Sequence, residues 1–535
     1  MEPPKANSLI NWKERAPYKF REAQPQQGSH PGISGIGIFT AGRPALLDRA
    51  LRSYVAHSRA NRRELEYVVF DDSKDKDARL ASLEVAQTIR SQFKVHIRFS
   101  GFEERAAYVG HLSEESGVSP EILTYGLLRP KGYTLGQNRN ALLLDTVGSL
   151  FFGADDDTLC AIARRPRMAE QGLKMCAGSD PSEFWCFRDV GEARNSVRFV
   201  DDDFLEGHDQ LLGSKVCGLD PGVSVVASSD EPPVSSNSQQ IGSRRNNVTV
   251  TVNGLLGDCA WSSPFGLWHE PMGYLAFDGA SLERLIHTEE FYRQATLSRQ
   301  VLRVTSSPVV ADVSFSMLTF WGLDNRELLP PNVPNHRGQD LIFGQVLWKC
   351  FNRALVGHVP LALVHDPRPP RRFWPGEMTR SAAGIDLCRL MIEGLRLCEL
   401  QDELASPAMR LKALGQHLVG LAELSDRALG KRLKESLHDS NWRFGSKLRE
   451  RAQQMMERHG FYAGDVIHYF GKLKTAEARE DYWLPLDMFS SDGSGVAGRV
   501  HQAFRQYGKL LDAWPTIVKG AKALRRKGLR LSRPV

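Results

Sequence analysis

Apolar positions gather in short blocks from Ile33 onward. Ile36-Gly37-Ile38-Phe39-Thr40 is followed by Ala41-Gly42-Arg43-Pro44, a pattern that predicts a buried strand and a turn. Leu46, Leu47, Ala50, Leu51 and Tyr54 then fall on one helical face. Tyr67-Val68-Val69-Phe70 reads as a second strand ending in Asp71-Asp72-Ser73. A helix over 78–93 leads to a third strand, Val95-His96-Ile97-Arg98-Phe99. Strands alternating with helices predict a parallel sheet with right-handed crossovers. Residues 137–147 read as a further helix, and Ser149-Leu150-Phe151-Phe152-Gly153-Ala154 as a strand ending in Asp155-Asp156-Asp157.

Farther along, residues 220–247 are rich in Ser, Pro and Asn and predict a long loop. Strand-like pieces follow at 248–252 and 309–315. A helix is expected over 340–351, and Leu361-Ala362-Leu363-Val364 as a last strand ending at His365. Beyond Pro375 apolar residues recur at spacings of three and four. They predict helices over 383–404, 409–424, 428–437 and 442–459. The Pro- and Arg-rich stretch 366–375 marks the boundary. The plan is a flexible leader (1–30), an α/β domain (31–375), a helical C-terminal domain (376–515) and a basic tail (516–535).

Composition narrows the classes. The 535 residues are 41% hydrophobic and 25% charged, which is ordinary globular usage and excludes a disulfide mini-protein or a low-complexity chain. No run approaches the length of a membrane-spanning helix, and the leader lacks the apolar segment of a secretory signal. The net charge of +6 is a property of the end of the chain: Lys519, Lys522, Arg525, Arg526, Lys527, Arg530 and Arg533 fall there with no acid among them. The remainder is near neutral, so a nucleic-acid-binding face is not expected. The basic tail reads either as a solvated, frayed terminus or as a weak peripheral membrane contact, with Ile517, Val518, Ala521, Leu524, Leu529 and Leu531 beside the cations. The eight cysteines have neither C-x-x-C nor zinc-finger spacing, the pattern of reduced thiols in a cytoplasmic protein.

In open α/β sheets, ligands sit beyond the carboxyl ends of the strands. Thr40 with Arg43, the pair Asp71-Asp72, the triplet Asp155-Asp156-Asp157 and His365 all fall at such ends. Taken together, these motifs resemble those of nucleotide-diphospho-sugar glycosyltransferases of the GT-A fold, closest to the family-2 type. The likeness covers roughly 330 residues, from Ile36 to His365, with a divergent stretch over about 165–300. Tyr67 to Ser73 is similar to that family's nucleoside-binding element. Gly136-Gln137-Asn138-Arg139-Asn140 resembles its G-x-x-x-R-N element, Asp155-Asp156-Asp157 its D-x-D motif, and Arg337-Gly338-Gln339-Asp340 its E-D element, with Gln339 where glutamate is common.

The resemblance implies a GT-A (Rossmann-like), mostly parallel sheet flanked by helices, and transfer of a sugar from a nucleotide-sugar donor. A divalent metal, Mn²⁺ or Mg²⁺, would be held by Asp155, Asp157 and His365, with Asp157 the direct ligand, Asp155 facing the ribose or a metal-bound water, and His358 the rival histidine. Oxygen ligands and a diphosphate suit such an ion. Thr40, Arg43, Asp71, Asp72, Arg139 and Asp155 would bind the donor nucleotide, the arginines because guanidinium forks match phosphate. Asp340 would be the general base of an inverting transfer. The acceptor stays open among a small molecule, a peptide, a lipid-linked sugar and a glycan. The aromatic, turn-rich stretches 257–261 and 264–270 read as packing or as a sugar-stacking surface. The alternatives are a nucleotidyltransferase, for which residues 40–44 make a poor phosphate loop, and a non-catalytic scaffold of the same fold.

Overall fold

A computed structural model describes residues 32–128, 135–166, 173–177, 180–215, 226–227, 247–259, 274–313, 319–352, 354–373, 381–401, 406–489 and 495–535. The expected leader, nearly all of the 220–247 loop and the stretch 264–270 lie outside them.

The chain opens as β1 (Gly35–Thr40), α1 (Pro44–Ala60), β2 (Glu66–Asp71), α2 (Lys76–Phe93) and β3 (His96–Ser100). Two helices that the apolar pattern did not reveal follow, α3 (Phe102–Ser116) and α4 (Pro120–Leu127). Then come α5 (Leu135–Asp145) and β4 (Leu150–Asp155). β1 is buried at every position, as a central strand covered on both faces must be. Pro44 opens α1, where its missing N–H costs nothing. The Asp75 carboxylate accepts from the amides of Asp77 and Ala78 at the start of α2.

β3, β2, β1 and β4 lie side by side and all parallel. Beyond β4 the sheet becomes mixed. Phe320–Asp324 runs antiparallel to β4, Asn247–Asp258 antiparallel to Phe320–Asp324, and Ala354–His365 parallel to Asn247–Asp258. Thr158–Arg164 leaves β4 after two residues and pairs antiparallel with Ala354–His365. The acidic triplet therefore occupies a crossing between two parts of the sheet. The architecture is α/β, a mixed sheet flanked by helices and followed by a helical C-terminal region. The expectation of mostly parallel pairing is met in the half formed by β1 to β4.

The C-terminal helices are Leu387–Arg396, Pro407–Leu421, Asp426–Met455, Gly460–Glu477 and Val496–Arg526. Asp426–Met455 is one helix where the apolar spacing predicts two. Between the two expected pieces, Ser440 and Asn441 are buried and bonded inward: Ser440 donates to Glu393 at 3.2 Å, and Asn441 accepts from Arg389 at 2.8 Å. The strand piece at 309–315 is observed as Val309–Asp312.

Residues 516–535 continue the last helix and end in a short strand, Arg533–Pro534, antiparallel to β3. Ile517, Val518, Ala521, Leu524 and Leu531 are buried. Arg530 bonds Glu66 at 2.8 Å and the buried Asp145 at 2.7 Å, and Arg525 donates to the Asp145 carbonyl at 2.7 Å. This segment is built into the fold; it is neither frayed nor a free tail. One continuous apolar core runs from Ile33 to Leu531, so the expected boundary near 375 is no break in the packing. Among the described residues no helix is long and apolar enough to cross a membrane.

Candidate functional site

Parallel pairing brings the strand ends level. Thr40 lies opposite Asp71, Phe39 opposite Asp155, and His365 opposite both Gly257 and Thr158. The triplet thus sits at the carboxyl edge beside His365. Asp156 is fully buried and accepts from the Thr40 hydroxyl at 2.7 Å and from Arg43 Nε at 3.1 Å. Asp157 accepts from Arg43 Nη1 at 3.0 Å on one oxygen, and its other oxygen lies 3.3 Å from His365 Nε2. His365 Nδ1 donates to the Asp258 carbonyl, which fixes the ring.

Burial pushes the Asp156 carboxyl up to about 7 against the pull of Arg43. Burial also disfavours a charged Asp157, but His365 and Arg43 outweigh it and hold Asp157 below the usual carboxylate range. His365 is correspondingly raised, since Asp157 overcomes its desolvation. The two form a buried ion pair.

At the β2 end, Asp71 accepts from the amide of Ser73 at 2.8 Å, and the Ser73 hydroxyl accepts from the Gly42 amide at 2.6 Å. Arg105, buried on α3, reaches Asp72 at 3.3 Å, the Asp71 carbonyl at 3.2 Å and Asn138. Burial raises Asp71 and brings Asp72 to about 6. Arg105 was missed in the sequence reading because its helix carried no legible apolar stripe.

α5 delivers the next group. Arg139 donates to Asp155 at 2.6 Å, and its guanidinium carbon lies 4.4 Å from the centre of the Phe39 ring. Asp155 is raised by burial against Arg139. Asn140 exchanges hydrogen bonds with the backbone of Asn332, at 3.1 and 2.8 Å. That clamp fixes the loop leading to the helix Gln339–Cys350, whose second residue is Asp340. Desolvation lifts Asp340 to about 6, with Arg139 pulling down and Asp155 pushing up, so Asp340 shares the site's field. Gly338, the N-cap, has φ +80° and abuts Cys388, which donates to its carbonyl at 3.4 Å.

Does this donor set fit a divalent ion? Asp157 and His365 are adjacent, and with the His365 Nε2 proton given up to the incoming ion, a carboxylate oxygen with an imidazole nitrogen suits Mn²⁺ better than Mg²⁺. Asp155 turns toward Arg139 rather than joining them, and among the described residues no three His, Cys, Asp or Glu side chains form a metal-holding group. Two protein ligands completed by phosphate oxygens and water would suffice for such an ion. The residues fit a site that ligand helps to complete, not a closed cage.

His358 is not the partner of Asp157. It is paired in mid-sheet opposite Val252 and Val309, buried and lowered to about 3. Of the aromatic stretch 257–261, residues 257–259 are described; Asp258 anchors Arg299 and Arg371, both at 2.9 Å. Comparison of the chain with protein-family models, curated proteins and solved structures finds no match.

Proposed function

We propose that this chain is a metal-dependent glycosyltransferase of the GT-A type, moving a sugar from a nucleotide-diphospho-sugar to an acceptor hydroxyl with inversion. The observation that supports the reading is the Asp157–His365 pair, brought together from distant parts of the chain at the strand ends, with Arg139 and Asp155 close enough to act on Asp340. Asp71 and Asp72 would accept hydrogen bonds from base or ribose, and Arg43 and Arg139 would contact the diphosphate. Asp157 and His365 would hold a divalent ion, with Asp155 beside it; when bound, that ion supplies charge neutralisation at the leaving group.

Asp340 takes the proton of the acceptor hydroxyl as its oxygen bonds to the sugar's anomeric carbon. The anomeric carbon–phosphate oxygen bond breaks on the opposite face, and its electron pair leaves with the nucleoside diphosphate. A carboxyl lifted to about 6 suits this work, being ionised at neutral pH yet more basic than an ordinary aspartate.

The test is a thermal-shift panel of UDP, GDP, CDP and dTDP with and without Mn²⁺. A rise in Tm for one nucleotide only when metal is present supports the reading and names the donor base. A shift with ATP or CTP alone replaces it by nucleotidyl transfer. No shift from a folded protein favours a non-catalytic scaffold.

A further inference from the structure

Arg43 stands on a turn that fixes its backbone. Gly42 before it adopts φ +66°, and Pro44 after it opens α1. From there its guanidinium reaches back over the triplet, with Nε 3.1 Å from one Asp156 oxygen, Nη2 on the other, and Nη1 3.0 Å from Asp157. The Arg43 side chain is 42% exposed, whereas those of Asp156 and Asp157 are 0% and 9% exposed. The arginine is therefore the solvent-facing cover of two buried carboxylates. Asp156 is also held by Thr40 from below, and one oxygen of Asp157 by His365 from the side. An ion held between Asp157 and His365 would draw on a carboxylate whose other oxygen Arg43 already occupies.

We propose that Arg43 is a displaceable counter-cation: it must release Asp157 before a divalent ion binds there, and an anionic ligand then takes up the freed guanidinium. The inference rests on the metal-dependent reading above. It makes the two ligands cooperative. An ion alone must displace Arg43 from a buried carboxylate with nothing to receive it. A diphosphate alone must draw Arg43 away and leave Asp157 with His365 as its only cation. Each ligand removes the obstacle to the other, a coupling that works in both directions.

The experiment is a Mn²⁺ titration of the full chain without nucleotide, with free Mn²⁺ read by electron paramagnetic resonance. Arg43→Gln keeps a hydrogen-bonding side chain and removes the charge. It is expected to bind Mn²⁺ about ten-fold more tightly than wild type, the scale of losing one charge-assisted competitor. Arg43→Lys keeps the charge without the fork and is expected between the two, so the order can be read even if the glutamine variant folds poorly. Asp157→Asn in either background is expected to lose the binding. If Arg43→Gln binds Mn²⁺ no more tightly than wild type while Asp157→Asn still weakens both, the counter-cation role is overturned and the metal site stands. If neither wild type nor the Arg43 variants bind Mn²⁺ saturably, even when the titration is repeated with UDP, GDP, CDP and dTDP present, the metal-dependent reading falls and the inference falls with it.

Discussion

The indole nitrogen of Trp514 donates to the carbonyl oxygen of Leu329 at 2.7 Å, joining the last helix to the loop that leads to Asp340. Tyr507 and Lys522, about two turns to either side on the same helix, donate to the carbonyls of Pro331 at 3.1 Å and Arg326 at 2.7 Å. The loop's other side is clamped by Asn140 of α5. The C-terminal helix thus acts as a strut for the segment between Arg326 and Gly338. Trp514→Phe keeps a ring in place and strands the buried Leu329 carbonyl. We expect a stability loss of about 2 kcal/mol in urea unfolding, with faster amide exchange concentrated at 326–338. Unchanged exchange there would remove the strut.

Gly136 marks where α5 meets that loop. A Cβ at this position would lie 1.9 Å from the carbonyl oxygen of Val333 and 2.7 Å from its carbon, both backbone atoms that cannot rotate away. Gly136→Ala is expected to cost about 3 kcal/mol or more. Gly464, inside the helix Gly460–Glu477, has open space around its would-be Cβ. Gly464→Ala is expected to stabilise by up to about 1 kcal/mol. Thermal unfolding of the two variants side by side checks both signs, and equal shifts would contradict the close approach at Gly136.

Much of the site was legible because strand ends are written locally. Apolar runs of four to six residues closing on Thr40, Asp71, Asp155 and His365 locate the strand-end edge whatever the order of the strands. That order was not legible. Nothing near Asp157 indicates that Thr158–Arg164 pairs with Ala354–His365, the register that sets His365, rather than the rival His358, beside Asp157. Charge misled in the same way. The basic end of the chain has no acid nearby in sequence, and its partners Glu66, Asp145 and Glu104 lie on the α/β half. Ion pairs between residues distant in the chain leave no local pattern, and a helix whose cations reach inward looks solvated from its own composition.

His208 lies buried, with Nδ1 2.7 Å from the Thr251 hydroxyl and Nε2 2.6 Å from Asn253 Oδ1. Burial lowers it to about 4. The unfolded chain therefore takes up a proton near 6.5 that the folded chain resists until about 4, so the stability His208 confers is whole above 6.5 and is lost as pH falls toward 4. His208→Gln cannot be protonated. The advantage of wild type over this variant should shrink by about 1.4 kcal/mol per pH unit between pH 6 and pH 4.5. Unfolding curves across that range provide the check; a difference independent of pH would mean that the imidazole is protonated alike in both states.

Asp340 yields the prediction closest to chemistry. Its carboxyl, lifted to about 6, is roughly nine-tenths ionised at pH 7 and mostly protonated at pH 5. A general base works only when ionised, so turnover should rise through about pH 6 and level off above it. Asp340→Asn keeps the shape but cannot accept the proton. It should lower kcat by about 10²- to 10⁴-fold, a typical worth for a positioned base, and abolish the rise near pH 6. Because Asp340 stands at a helix start and Asp157 and His365 are the proposed ligands of the ion, nucleotide binding with Mn²⁺ should survive in this variant. The pair of measurements separates the roles. Lost turnover with retained thermal shift assigns the base. Lost shift as well would give Asp340 a structural part at the N-terminus of its helix, and an acid limb near pH 6 that persists in Asp340→Asn would place the base on another residue.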